Sequence, residues 1–330
     1  MCFAGRRGAL ALAGTLLVAG GCALDAREAP ARERQTSAAP AASAPGTSEP
    51  RRVQRPAFDG DRAFALLTRQ TDFGPRPPGT AAHRRTRDFL VAELSKYADR
   101  VFRQDFTYRG IPMFNVVGVF RPEAERRILL CAHWDTRPIA DMEVDEAKRR
   151  LPILGANDGA SGVAVLLELA RMFKQQPPDV GVVIALFDGE DFGDFTRMEG
   201  VLLGSTHFAR NLSEIGRRPA YGILLCMIGD RDLVIQRETH SERHAKRVND
   251  LVFGIARELG YGNVFRDRPM VEIINDHWPL NAAGLPTINL IDFDYAPWHT
   301  LDDTPDKCSP RSLRIVGEVV AETVYRERAR

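Results

Sequence analysis

The sequence has almost no net charge: 45 Lys and Arg face 44 Asp and Glu, which leaves +1 with histidine neutral. That balance removes the bulk attraction on which nucleic-acid binding rests, and no nucleic-acid partner is expected. Cysteine is scarce, at five in 330 residues, with no CxxC pair among Cys2, Cys22, Cys131, Cys226 and Cys308. The spacing excludes a zinc finger and argues against a disulfide framework. No internal repeat is visible. The apolar run Gly8 to Gly21 falls short of the ~20 residues that a bilayer span needs, so no transmembrane helix is expected from it.

That short run suits a different purpose. Arg6 and Arg7 precede it, and the small residues Ala19, Gly20 and Gly21 follow it directly before Cys22. A positive start, an apolar middle and a small-residue end describe an export signal. The last four positions resemble a bacterial lipoprotein box, with Ala19 where leucine is usual. Residues 1–22 are therefore expected to be a leader and Cys22 the lipidated residue. The protein is expected to be exported to the periplasm and held at a membrane through that anchor alone. Residues 23–56 are rich in Ala, Pro, Ser, Arg and Glu and lack large hydrophobes. They cannot bury enough apolar surface to offset the entropy of ordering, and read as a flexible tether. Residues 1–56 hold eight of the basic and four of the acidic residues, so a basic leader precedes a mildly acidic remainder.

A folded domain is expected over 57–330. Residues 61–70 and 80–97 read as amphipathic helices, and 101–108, 115–120 and 127–131 as strands. Strand and helix then alternate: helix 161–173, strand 180–187, short helix 204–210, strand 222–228, helix 241–259, strand 287–291 and a closing helix 312–326. The runs RILLCAH, VGVVIALF and GILLCMIG are nearly continuous, as in strands buried on both faces. The alternation predicts an α/β fold of three layers, a central mixed and mostly parallel sheet with helices on both faces. Ligand sites in such sheets gather at the carboxyl ends of the strands. His133 and Asp135 follow one strand, Asp188, Glu190 and Asp191 a second, and Cys226 and Asp230 a third.

Taken singly, each motif has an ordinary reading. AHWDT (His133, Asp135) reads as a hydrogen-bonded pair in a loop or as a metal ligand with its orienting carboxylate. In GANDGASG, Asn157 or Asp158 reads as a helix cap, while the glycines also allow close backbone approach. FDGED crowds three carboxylates, which a metal would relieve, as would a solvated turn. WHTLDD sets His299 beside Trp298. The combination is more specific. Asp158, Asp191 and His299 supply two carboxylates and an imidazole, the nitrogen and oxygen donors that a catalytic zinc takes with one position open. Glu190, beside one of them, is placed to move protons.

In this order, DFGPRPPGT, AHWDT, GANDGASGVAVLLELAR, FDGED, LLGSTHFA, GILLCMIGD, INDHWPL and WHTLDD resemble the M28 metallopeptidase family, across residues 72–303. Within it the chain looks closest to the glutaminyl cyclase branch. The resemblance implies a glutaminyl-peptide cyclotransferase acting on peptide or protein N-termini. One Zn2+ per chain would be held by Asp158, Asp191 and His299, with Glu190 as general acid/base. It further implies that Asp276 hydrogen-bonds in the site and that Trp298 lines the substrate pocket. Two departures stand out. The ligand after the catalytic Glu is usually Glu, where this chain has Asp191. Cys226 stands where Asp is usual, a position that borders the substrate in cyclases and binds a second metal with His133 and Asp158 in two-zinc aminopeptidases. Two alternatives follow: an M28 zinc aminopeptidase, and a catalytically silent envelope protein that uses the fold for binding.

Overall fold

The computed structural model describes residues 53–328. The leader, Cys22 and the tether up to residue 52 lie outside the described residues. The tether's last residues are anchored: the Val53 amide donates to Glu322 Oε1 at 3.2 Å, and Arg55 Nε donates to Glu322 Oε2 at 2.9 Å. Glu322 is fully buried, so its charge needs such donors. Hydropathy cannot reveal an attachment made of polar bonds.

The strands are β1 (Arg100–Tyr108), β2 (Ile111–Phe120), β3 (Arg127–His133), β4 (Gly181–Phe187), β5 (Gly222–Cys226), β6 (Ile235–Arg237), β7 (Phe265–Pro269) and β8 (Thr287–Ile291). Six form one sheet in the order β1-β2-β4-β3-β5-β8. β4, β3, β5 and β8 run parallel, and the hairpin β1–β2 joins antiparallel at the β4 edge. The expected mixed, mostly parallel sheet is therefore present. β6 and β7 pair separately in parallel.

The helices are α1 (Gly60–Thr71), α2 (Ala81–Ser95), α3 (Ser161–Gln175), α4 (Leu203–Arg210), α5 (Thr239–Glu258), α6 (His277–Ala282) and α7 (Pro310–Arg326). Side chains alternate across a strand, so β3 feeds two cores at once. Ile128, Leu130 and Ala132 join the large cluster that contains Leu67 of α1, Leu94 of α2, Leu166 of α3, Val252 of α5 and Val316 of α7. Leu129 and Cys131 face the smaller cluster with Phe208 of α4 and Leu280 of α6. These side chains are almost wholly buried, and each contributes roughly 1.5–3 kcal/mol. The layers are thus unequal, thick on one face and thin on the other. None of the described helices is long and apolar enough to cross a membrane.

The strand expected over 222–228 ends at Cys226, because Met227 takes a φ of 47°, which a strand cannot accommodate. The helix cap expected at Asn157 or Asp158 is also absent. Helix α3 starts at Ser161 with no side-chain cap bond, and Asn157 Oδ1 instead accepts from the Gly229 amide at 2.7 Å.

Candidate metal centre and its pocket

The carboxyl ends of the parallel strands carry the site. His133 closes β3, Cys226 closes β5, Glu190 and Asp191 sit in the turn after β4, and His299 follows β8. Asp158 comes from the turn before α3. Three fixtures hold that turn. Gly159, at a φ of 104°, would place a Cβ 2.4 Å from the Asp135 carbonyl, so only glycine permits the approach. Arg76, fully buried, donates to the carbonyls of Trp134, Leu154 and Gly155 at 3.1, 2.9 and 2.8 Å. Asp303 accepts from the amides of Asn157 and Asp158 at 2.8 and 3.0 Å. The glycines of GANDGASG therefore serve backbone approach, and two motifs distant in sequence clamp the segment that presents Asp158.

Two groups of metal-ligating atoms converge, and Asp158 belongs to both. In Asp158, Asp191 and His299 the donor atoms lie within 4.8 Å of one another, and the same holds for His133, Asp158 and Cys226. His299 Nε2 is 3.3 Å from Asp191 Oδ2 and 3.7 Å from Asp158 Oδ2. His133 Nε2 is 3.1 Å from Asp158 Oδ1 and 3.6 Å from Cys226 Sγ. All five side chains are buried. His299 holds a φ of 55°, a conformation that costs a non-glycine residue energy and recurs at functional sites.

The first group suits a cation. Among the described residues, Asp191 Oδ2 is buried without full hydrogen-bond geometry to any partner, facing His299 Nε2 at 3.3 Å, whereas Oδ1 is taken by Arg137 at 2.6 Å. His299 Nδ1 sits 3.1 Å from Asp141 Oδ1, which leaves Nε2 to ligate. Asp135 accepts from the amides of Glu190 and Asp191 at 3.1 and 3.2 Å, fixing the turn that presents both. With this support the shorter Asp191 still reaches the group.

Charge crowding shows in the acidities. Burial, helped by Asp276, Asp191 and Asp158 against the opposing His133, pushes Glu190 well above the usual carboxylate range. Burial pushes Asp276 up to about 7 and the Cys226 thiol up to about 12. For His299, burial favours the neutral form, but the charges on Asp191 and Asp158 and its close contacts with Asp141 and Asp191 win, raising it to about 9. A bound cation would favour the ionised carboxylates that burial opposes.

A cavity of about 310 Å³ opens over the first group. Glu190, Asp158, Asp191, Cys226 and His299 form its floor, with Ile273, Phe293 and Trp298 among its apolar walls. Trp298 stacks on His299 with ring centroids 4.0 Å apart. Asp276 is fully buried and outside this lining, and neither of its oxygens has full hydrogen-bond geometry to a partner. Asp188, the first acid of FDGED, belongs elsewhere: His83 Nε2 lies 2.8 Å from its Oδ2, and the Phe114 amide donates to the same oxygen at 2.7 Å.

Sequence reasoning missed His83, Arg137 and Asp141. Arg137 and Asp141 follow AHWDT in the same loop, so their place after a strand end was a usable signal. Nothing local marks His83, which lies 105 residues from Asp188.

A mostly parallel α/β sheet with buried carboxylates and imidazoles at its carboxyl end defines an α/β protein with a candidate metal site. The sequence model described as peptidase family M28 matches residues 115–324, and the chain belongs to that family. Two solved structures from Bacteroides thetaiotaomicron each superpose with a TM-score of 0.80 at 38% identity. One, a glutaminyl cyclase bound to N-acetylhistamine, covers 83% of this chain and 100% of its own. The other, a leucine aminopeptidase precursor, covers 84% and 100%. The glutaminyl-peptide cyclotransferase of Bos taurus is 25% identical over 313 residues, 76% of this chain and 79% of its own length. An aminopeptidase of Bacillus subtilis is 27% identical over 225 residues, 64% of this chain, which spans only 44% of that relative's length.

Proposed function

We propose that the protein is a zinc-dependent glutaminyl-peptide cyclotransferase, which converts the N-terminal Gln of peptides to pyroglutamate with release of ammonia. One observation carries this reading. Asp158, Asp191 and His299 make one complete nitrogen–oxygen ligand set beside Glu190, whereas the adjoining group has a thiol, Cys226, as its third member. The likeness to glutaminyl cyclases supports it.

When bound by these three residues, zinc supplies a Lewis acid for the side-chain amide carbonyl of the substrate. The protein's own groups do the rest. Glu190 takes a proton from the attacking α-amine and delivers one to the departing nitrogen. The walls of Ile273, Phe293 and Trp298 exclude water and fix the N-terminal residue. Amine and amide belong to that one residue, so orientation is most of the remaining task. Asp276, fully buried and outside the cavity lining, is the carboxyl that the likeness to glutaminyl cyclases assigns to hydrogen bonding around the site.

A second reading, an M28 aminopeptidase, is favoured by the His133, Asp158 and Cys226 group, which shares Asp158 and could take a second metal through the sulfur. Zinc-loaded protein incubated with a Gln-initiated peptide and followed by mass spectrometry separates the two. Loss of ammonia supports cyclisation; loss of a whole residue supports hydrolysis. An unchanged peptide supports the silent binding protein, which the presence of Glu190 beside all three ligands opposes. We also propose export and lipidation at Cys22, for which labelled fatty acid should enter the natural chain and not Cys22→Ala.

A further inference from the structure

We propose that Glu238, outside the cavity and named by no motif, is a positioning residue for the substrate pocket: its carboxylate holds both the Ile273 wall and the start of α6, which follows Asp276. The inference rests on the reading of this cavity as the substrate site.

Glu238 is fully buried, and among the described residues no Lys or Arg bonds to it. Five donors converge on it instead. Oε1 accepts from the amides of His240 at 2.8 Å and Ile273 at 3.0 Å. Oε2 accepts from the Ser241 amide at 2.7 Å, the Ser241 hydroxyl at 2.6 Å and His277 Nε2 at 3.1 Å. Two of the five are amides in the first turn of α5, which Glu238 caps and where the helix dipole favours a negative charge. The other attachments reach away from α5. Ile273 lies in the loop between β7 and α6, and residues 271–275 of that loop line the cavity. Its side chain packs with Cys226, Met227, Ile291 and Tyr295 and against Trp298. His277 opens α6 immediately after Asp276.

The loop has further ties, among them Glu272, which meets Arg243 Nη1 at 2.9 Å and His240 Nδ1 at 3.3 Å. The Met270 amide bonds to the Arg237 carbonyl at 2.9 Å, the Thr239 hydroxyl to the Met270 carbonyl, and Trp278 Nε1 to the Ile273 carbonyl at 3.0 Å. Among the described residues, Glu238 is the acceptor for the Ile273 amide, so losing the carboxylate frees the wall at its centre. Although burial opposes ionisation, the bonds from His277 and Ser241 and the Ile273 amide hold Glu238 down to about 2. It therefore stays charged across any working pH, and its effect is one of geometry.

The test is Glu238→Gln, which keeps shape and removes charge. A hydrogen bond to a charged group is worth enough that KM for a Gln-initiated peptide should rise by about tenfold. Turnover at saturation should stay within about threefold, with zinc content unchanged, since no ligand or proton-transfer group is touched. Leu67→Ala, a core truncation on α1, should lower Tm without raising KM, which separates positioning from loss of stability. Hydrogen–deuterium exchange gives a second readout that needs no activity: the Ile273 amide should exchange at least about tenfold faster in Glu238→Gln and unchanged in Leu67→Ala. Faster exchange at Ile273 sustains the anchoring role even if no Gln peptide is turned over, and then the cyclase reading alone fails. Unchanged exchange at Ile273, or a KM within about twofold of the natural protein in an active enzyme, overturns the proposal.

Discussion

Arg137 Nη1 lies 2.6 Å from Asp191 Oδ1, and the same guanidinium holds both oxygens of Asp141 at 2.8 Å. Asp141 in turn reaches His299 Nδ1. One arginine and one aspartate therefore orient two of the three candidate ligands.

Removing that clamp should weaken the metal before it touches the chemistry. Arg137→Met keeps the bulk of the stem and leaves Asp191 and Asp141 without their shared donor. Partners that orient ligands are typically worth 10–100-fold in metal affinity, so zinc should bind about that much more weakly in competition with a chelator. An affinity within about twofold of the natural protein would show that Asp191 and His299 hold their places unaided.

Cys226 makes a separate prediction about stoichiometry. Its thiol is buried and pushed up to about 12, so it ligates only if a metal displaces its proton. Elemental analysis should give about one zinc per chain, and Cys226→Asp, which restores a carboxylate beside His133 and Asp158, should approach two. Two tightly held metals in the natural protein would favour the aminopeptidase reading.

The parallel strands were legible because burial on both faces leaves continuous apolar runs, as in RILLCAH and VGVVIALF. The long helices were legible from their periodicity. What escaped was short or polar. β7, FRDRP, is exposed over four of its five residues and has no alternating pattern. α6 spans six residues and contains Pro279, so neither length nor propensity marks it. At the site, residue types pointed to Asp158, Asp191 and His299, and strand-end placement to Asp191 among them; the structure brings all three together. Glu238 and His83 escaped because the partners that matter lie far away in sequence: Glu238 reaches Ile273 and His277, and His83 pairs with Asp188, 105 residues on.

Stability should carry a signature of a carboxylate away from the ligands. Burial pushes Asp292 up to about 6, despite its bonds from the amides of Val234 at 2.7 Å and Asp294 at 3.1 Å. The unfolded chain loses this proton near ~3.9, so between that pH and about 6 the folded state binds more protons than the unfolded one. Stability contributed by this group therefore falls as pH rises through that window. Asp292→Asn removes the titration, and its stability relative to the natural protein should improve by roughly 2–3 kcal/mol between pH ~4 and pH ~7 in urea unfolding. A relative stability that does not change with pH would place the Asp292 carboxyl in contact with water.

Glu190 bears the mechanism. It shares a turn with Asp191, and both amides are bonded to Asp135, yet consecutive residues at a strand end point different ways, so one can face a metal and the other the substrate. Burial and the neighbouring carboxylates favour its protonated form, while His133 and a bound dication favour the ionised one. A group balanced in this way can both accept and return a proton. Glu190→Gln preserves shape and abolishes transfer. General acid/base catalysis is typically worth about 10²–10⁴-fold, so turnover should fall within that range while zinc is retained. Asp191→Ala should lose zinc and activity together, because it removes the buried oxygen that faces His299 Nε2 within the ligand group. Turnover measured alongside metal content decides between the two roles. If Glu190→Gln keeps most of its rate, proton transfer runs through another group, and Asp276, raised by burial to about 7, becomes the residue to replace next.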